Sequence, residues 1–132
     1  MSFDIYVQDI PLDVGTADDI PENFEAQPLG PRSIILAAIA AAAPDVQWPE
    51  PGTGAIRGYN YSIEIDLGRD DPVEDFAFFV RGSGDGLVVV AHILEALGLR
   101  AIAPDCDSGI FELSNAEIAF DRWRGSVDPV PG

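Results

Sequence analysis

The strongest constraint on the fold is an alternation. Residues 61–67 run Tyr61, Ser62, Ile63, Glu64, Ile65, Asp66, Leu67, with the apolar Ile63, Ile65 and Leu67 set against polar neighbours. A strand with one wet and one dry face satisfies that pattern, because successive strand side chains point to opposite sides. Residues 3–7 repeat it, with Phe3, Ile5 and Val7 set against Asp4 and Tyr6. Residues 76–81 depart from it. Phe76, Ala77, Phe78, Phe79 and Val80 are continuous, as expected of a central strand covered on both faces.

Two helices are predicted around these strands. Gly30-Pro31 opens the first, over residues 32–43, and Pro44 stops it; proline is tolerated in a first turn because its missing N–H is not needed there. Its Ile, Leu and Ala surface suits a helix laid flat on a sheet. The second spans 86–97, with Val89, Val90, Ile93, Leu94 and Leu97 on one stripe, His92 and Glu95 opposite, and Gly98 as a C-terminal stop. Short strands are expected at 46–48, 99–103 and 110–113, turns at 49–54 and 104–109, and a helical turn at 115–123.

The order β-α-(β)-β-β-α-β-β points to one domain over 1–132. Residues 9–30 form an acidic loop, and 114–132 form a C-terminal extension with a flexible Pro/Gly tail. The fold class is α+β: a ferredoxin-like βαββαβ sandwich, two helices on one face of a mainly antiparallel sheet, with extra short strands. A mixed α/β sheet is the alternative. Because the strand at 76–81 is apolar on both sides, the acidic loop or a second subunit is expected to cover the other face.

Charge limits the partners. The chain has 23 Asp and Glu against seven cationic residues, all Arg, for a net charge of −16. That excludes nucleic acid and anionic membranes, which need a basic surface to displace counterions, and it favours a basic protein partner. The uncharged stretch at 33–43 is far short of the roughly 20 residues that span a bilayer. One cysteine, Cys106, excludes an internal disulfide and a cysteine-built zinc site. With no basic, apolar leader at the start, a cytoplasmic location is expected.

The sequence Arg81-Gly82-Ser83-Gly84-Asp85-Gly86 has the strand–glycine loop–helix order that cradles phosphates. A dinucleotide fingerprint needs a third glycine at position 87, where Leu87 stands, and no Gly-Lys-Ser/Thr is present. Asp85 would direct a carboxylate at the N–H groups a phosphate needs, so it is assigned as a helix N-cap. A narrower expectation survives. If the strands at 76–81 and 99–103 run parallel, Arg81, Ser83 and Asp85 meet Asp105, Cys106 and Asp107 at one sheet edge, in a crevice fit for a small molecule.

No other constellation carries chemistry. Asp105-x-Asp107-x-Gly109 with Glu112 lacks the third oxygen ligand, the Gly and the Glu spacing of a calcium loop, and is assigned to a turn. His92 lies about 9 Å along the second helix from its start, near which Cys106 is expected, so the two are too far apart to act as nucleophile and base. No pair among the carboxylates is singled out by spacing, so catalytic residues, cofactors and metals are not expected. Trp48, Trp123, Tyr59 and Tyr61 are core residues first and partner anchors second.

The opening Met1-Ser2-Phe3-Asp4-Ile5-Tyr6 is similar to the M-S-[FY]-D-[IL]-Y start of small bacterial α/β proteins, some of them immunity-protein-like. The net charge, the acidic segment at 9–25 and the lack of a catalytic constellation lead to the expectation of an acidic bacterial protein that is not an enzyme and acts by protein–protein interaction, immunity-like or neutralising a basic partner. The alternative is a small-molecule binding domain using the 81–86/105–108 crevice. A homodimer is a further expectation.

Overall fold

The computed structural model describes residues 2–127, the last five of them by backbone alone. The elements are β1 (Phe3–Val7), a 3-10 turn (Ala17–Asp19), α1 (Arg32–Ala42), β2 (Gln47–Glu50), β3 (Thr53–Arg57), β4 (Tyr61–Asp66), β5 (Phe76–Gly82), α2 (Asp85–Leu97), β6 (Ala101–Ile102) and α3 (Leu113–Val127). The strands form one six-stranded sheet in the order β2-β3-β4-β5-β1-β6, every pairing antiparallel. The fold is α+β. It exceeds the expected six-element plan by the β2–β3 hairpin at one side of the sheet and by α3.

Register builds the dry face. Phe3, Ile5 and Val7 of β1 stand opposite Val80, Phe78 and Phe76 of β5, while Ile63 and Ile65 of β4 oppose Val80 and Phe78 from the other side. All of these are buried, and they share one cluster with Ile35 and Ile39 of α1, Leu87, Val90 and Ile93 of α2, and Ala116, Ala119 and Phe120 of α3. The three helices therefore cover one face of the sheet. Burying such aliphatic and aromatic side chains contributes roughly 1.5–3 kcal/mol each, before the entropy cost of ordering them.

Two expectations change here. Residues 110–113 are not a strand: Ile110 makes an isolated bridge to Ile102, and Leu113 already begins α3. The helical turn at 115–123 is part of that longer helix, whose buried Ala116, Ala119 and Phe120 fall at the i, i+3, i+4 spacing of one helix face. The expected flexible tail lies outside the described residues.

The acidic loop lies on the molecule. Ile10 and Val14 pack with Ile110 in a second small cluster against Ile20 and Ile102. Arg100 holds the segment by donating from Nη1 to the Pro11 carbonyl oxygen (2.5 Å) and from Nη2 to that of Val14 (2.8 Å). Ile102 is paired with Tyr6, so it belongs to the face of the sheet away from the helices. The loop thus covers the β6 end of that face, and its Ala26 and Gln27 reach Gln8, Glu74 and Asp75 farther along.

Candidate functional site

Of the six residues singled out in sequence, Arg81 lines one of the cavities described below and the other five line none of them. β5 and β6 run parallel, as expected, but β1 lies between them. Helix α3 bridges the loops at their ends. The buried Phe120 ring lies 5.5 Å from that of Phe3, and its Cδ1 is 3.9 Å from where a side chain on Gly84 would begin. Arg122 pairs with Asp107 at 3.1 Å. Cys106 is buried in the same cluster as Phe120, and burial, reinforced by the Asp105 and Asp107 charges, pushes its thiol pKa up. His92 is exposed on α2.

The glycine loop is occupied by its own chain. Asp85 is the first residue of α2 rather than its N-cap; that position is held by Gly84, without a side-chain cap. The Asp85 amide donates to Ser83 Oγ at 3.3 Å, and Asn60 Nδ2 donates to the Asp85 carboxylate at 3.1 Å. Arg81 points to the face away from the helices, where it pairs with Glu64 at 3.5 Å.

That face is the principal exposed feature of the sheet. Its central row, read across the strands, is Ile102, Tyr6, Ala77, Asp66, Thr53; the next is Asp4, Phe79, Glu64, Ala55. The strand predicted to be covered on both sides is covered on one. On the other, Ala77 and Phe79 form an apolar floor: Ala77 is 7% exposed and Phe79 half-buried. The Tyr6 ring is 38% exposed, and its hydroxyl donates to Asp4 at 3.3 Å. Loss of solvent and the adjoining Asp4 charge push its pKa up, so the hydroxyl stays a donor at neutral pH.

Because Ala77 is short and stands between Tyr6 and Asp66, a notch opens there. It continues into a cavity of about 480 Å³ lined by Tyr6, Asp66, Asp70, Asp75, Ala77 and Phe79, among others. A smaller cavity, about 260 Å³, shares Gln8 and Asp75 with it and adds Glu74. No cation lines either. The nearby Arg32 donates to the Gly68 carbonyl oxygen at 2.8 Å, and neither ion pair among the described residues involves Asp66, Asp70 or Asp75. Across the sheet the sign softens, where Arg57 and Arg81 join Glu64 around a third cavity.

No family model, curated protein or solved structure matches the chain. The site is therefore read from its residues alone. Its lining combines the aromatic rings of Tyr6 and Phe79, carboxylates with no cation among the lining residues, and an apolar floor at Ala77. Among the described residues no three His, Cys, Asp or Glu side chains gather as a metal-binding group, and no helix is long and apolar enough to cross a membrane.

Sequence reasoning missed Tyr6 and Phe79 as site residues. Tyr6 sits at an outward position of an alternating strand, a visible signal, but its neighbours on the face come from β4 and β5. Of the aromatics proposed as core or anchor, Trp48 packs its ring over Gly54 and Tyr61 packs against Gly58 and Gly86. Tyr59 is fully exposed at the β3–β4 turn, and the Trp123 side chain lies outside the described residues.

Proposed function

We propose that the protein is an acidic bacterial interaction protein, not an enzyme, that binds and neutralises a basic protein in the cytoplasm. One observation carries the reading: an exposed sheet face with aromatic rings at its centre and Asp66, Asp70 and Asp75 beside them without a lining cation. In a chain of net charge −16, such a face attracts cationic surfaces over long range and holds them by contact at short range. The similarity of residues 1–6 to immunity-like proteins is consistent with it.

The test is isolation and reconstitution. The tagged protein, used at low salt in lysate of its source cell, should retain a basic protein that, once purified, binds it directly with an affinity falling steeply between 50 and 500 mM salt. A purified complex insensitive to salt, or retention of neutral and acidic proteins alone, would overturn the reading.

A further inference from the structure

We infer that the basic partner is held by an arginine side chain that enters the notch over Ala77, stacking on Tyr6 and Phe79 and facing Asp66 and Asp75. This rests on the proposed function and specifies how the partner binds.

The edges of the sheet limit the mode of binding. A partner strand adds to a sheet only along an edge with free N–H and C=O groups. The β2 edge carries Pro49 and a register shift between Gln47 and Glu50. The β6 edge is two residues long and is bridged by Ile110. The partner must therefore lie across the face. A second copy is a poor occupant, since it would bring a second net charge of −16 against this face. Nucleic acid and anionic lipid are repelled for the same reason.

Shape and charge select the side chain. Tyr6 and Asp66 flank Ala77 across three adjacent strands, and neighbouring strands lie about 4.8 Å apart. The strands that carry the two walls are therefore roughly 10 Å apart, and a flat guanidinium between them can lie on an aromatic ring with its edge toward a carboxylate. Phe79, one row along, supplies a second apolar wall. An ammonium can use the charge but not the stacking or the forked hydrogen bonds. The Arg57 and Arg81 end repels cations, which favours seating at the Asp66–Asp75 end.

The probes are N-acetyl-arginine amide, its lysine counterpart, and 12-residue peptides of alternating Arg-Ser, Lys-Ser and Glu-Ser, titrated into the full chain. Amide NMR shifts report the site, and fluorescence anisotropy reports peptide affinity. Arginine amide should shift residues 6, 66, 77 and 79, and the Arg peptide should bind at least fivefold tighter than the Lys peptide. The double substitution Asp66→Asn with Asp75→Asn should weaken the Arg peptide at least tenfold. Glu117→Gln with Asp121→Asn makes the same charge change on exposed positions of α3 and should weaken it less than twofold. Tyr6→Ala should remove the preference for Arg over Lys.

Equal loss in the two double variants, equal Arg and Lys affinities, or shifts confined to other faces would overturn the inference. The amide probes need no protein partner. Shifts at the notch without any basic protein bound would leave the site and remove the proposed function; a basic partner unaffected by Asp66→Asn with Asp75→Asn would do the reverse.

Discussion

The three glycines at 82, 84 and 86 sit within one turn of chain but have different reasons to be glycine, and alanine at each should separate them. Gly82 has φ +90, and an added Cβ would stand 2.4 Å from the Asn60 carbonyl oxygen and 2.9 Å from Tyr61 Cα. Positive φ alone costs an L-residue about 1–2 kcal/mol, and backbone atoms cannot swing aside, so Gly82→Ala should lose about 3 kcal/mol or more. Gly86 is helical and buried, and its Cβ would meet Val80 Cγ1 at 2.9 Å and Tyr61 Cδ2 at 3.2 Å. Alanine there gains about 1 kcal/mol of helix propensity against roughly 1–3 kcal/mol of overpacking, for a net loss of about 1 kcal/mol. Gly84 has φ −67, and its Cβ would meet only Phe120, at 3.9 Å. Gly84→Ala should stay within about 1 kcal/mol of wild type, unfolded-state gain and weaker capping nearly cancelling. Urea denaturation monitored by circular dichroism reads all three as midpoint shifts at constant slope. The order 82, 86, 84 from most to least damaging is the prediction. A harmless Gly82→Ala, or Gly84→Ala as the worst of the set, would refute the account of this loop as a packing device.

Phe120→Ala should cost about 3–5 kcal/mol in the same assay, because the ring is fully buried against Phe3; a loss under 1 kcal/mol would mean α3 is not part of the core. Arg100→Ala removes donors to two carbonyl oxygens of the acidic loop, worth about 2 kcal/mol together, and hydrogen exchange should speed up at residues 10–19 while β5 stays protected. Cys106 should resist thiol reagents at pH 8 until denaturant is added, since the buried thiol has its pKa pushed above its ordinary 9.0. For a group whose folded pKa is raised, the associated stability is fully present below pH 9.0 and is lost as pH climbs through the folded value, so the urea midpoint of wild type should fall more steeply above pH 9 than that of Cys106→Ala.

Strand periodicity made β1 and β4 legible, a continuous apolar run marked β5, and the proline and glycine stops around α1 and α2 bounded those helices to within a residue or two. β3 was hidden because Gly54 and Ala55 are poor strand formers. Gly54 is explained only by the Trp48 ring, which lies 2.9 Å from where a Cβ would be. α3 was read short because its buried side chains are few and two of them are alanine. The site was less legible than the fold. Arg81 and Asp105–Asp107 were placed correctly at the ends of parallel strands, but α3, packed across those loops, could not be anticipated from their residues. The Tyr6–Phe79 face depends on register, which aligns residues far apart in the chain.

The fastening of residues 9–30 has a consequence for how the chain tolerates change. Arg100 holds it at Pro11 and Val14, the Ala17 amide donates to the Ser108 carbonyl oxygen, and Leu29 and Gly30 are tied to Val73. A long loop is thereby divided into short spans, of which 21–28 is the least fastened, held by Gln27 to Asp9 and a local turn at Phe24. Closure entropy grows only with the logarithm of loop length, so added residues between 21 and 28 should cost little, whereas the same insertion between 11 and 17 would pull against the ties at Pro11, Val14 and Ala17. Residues 21–28 are therefore where the chain has room to lengthen.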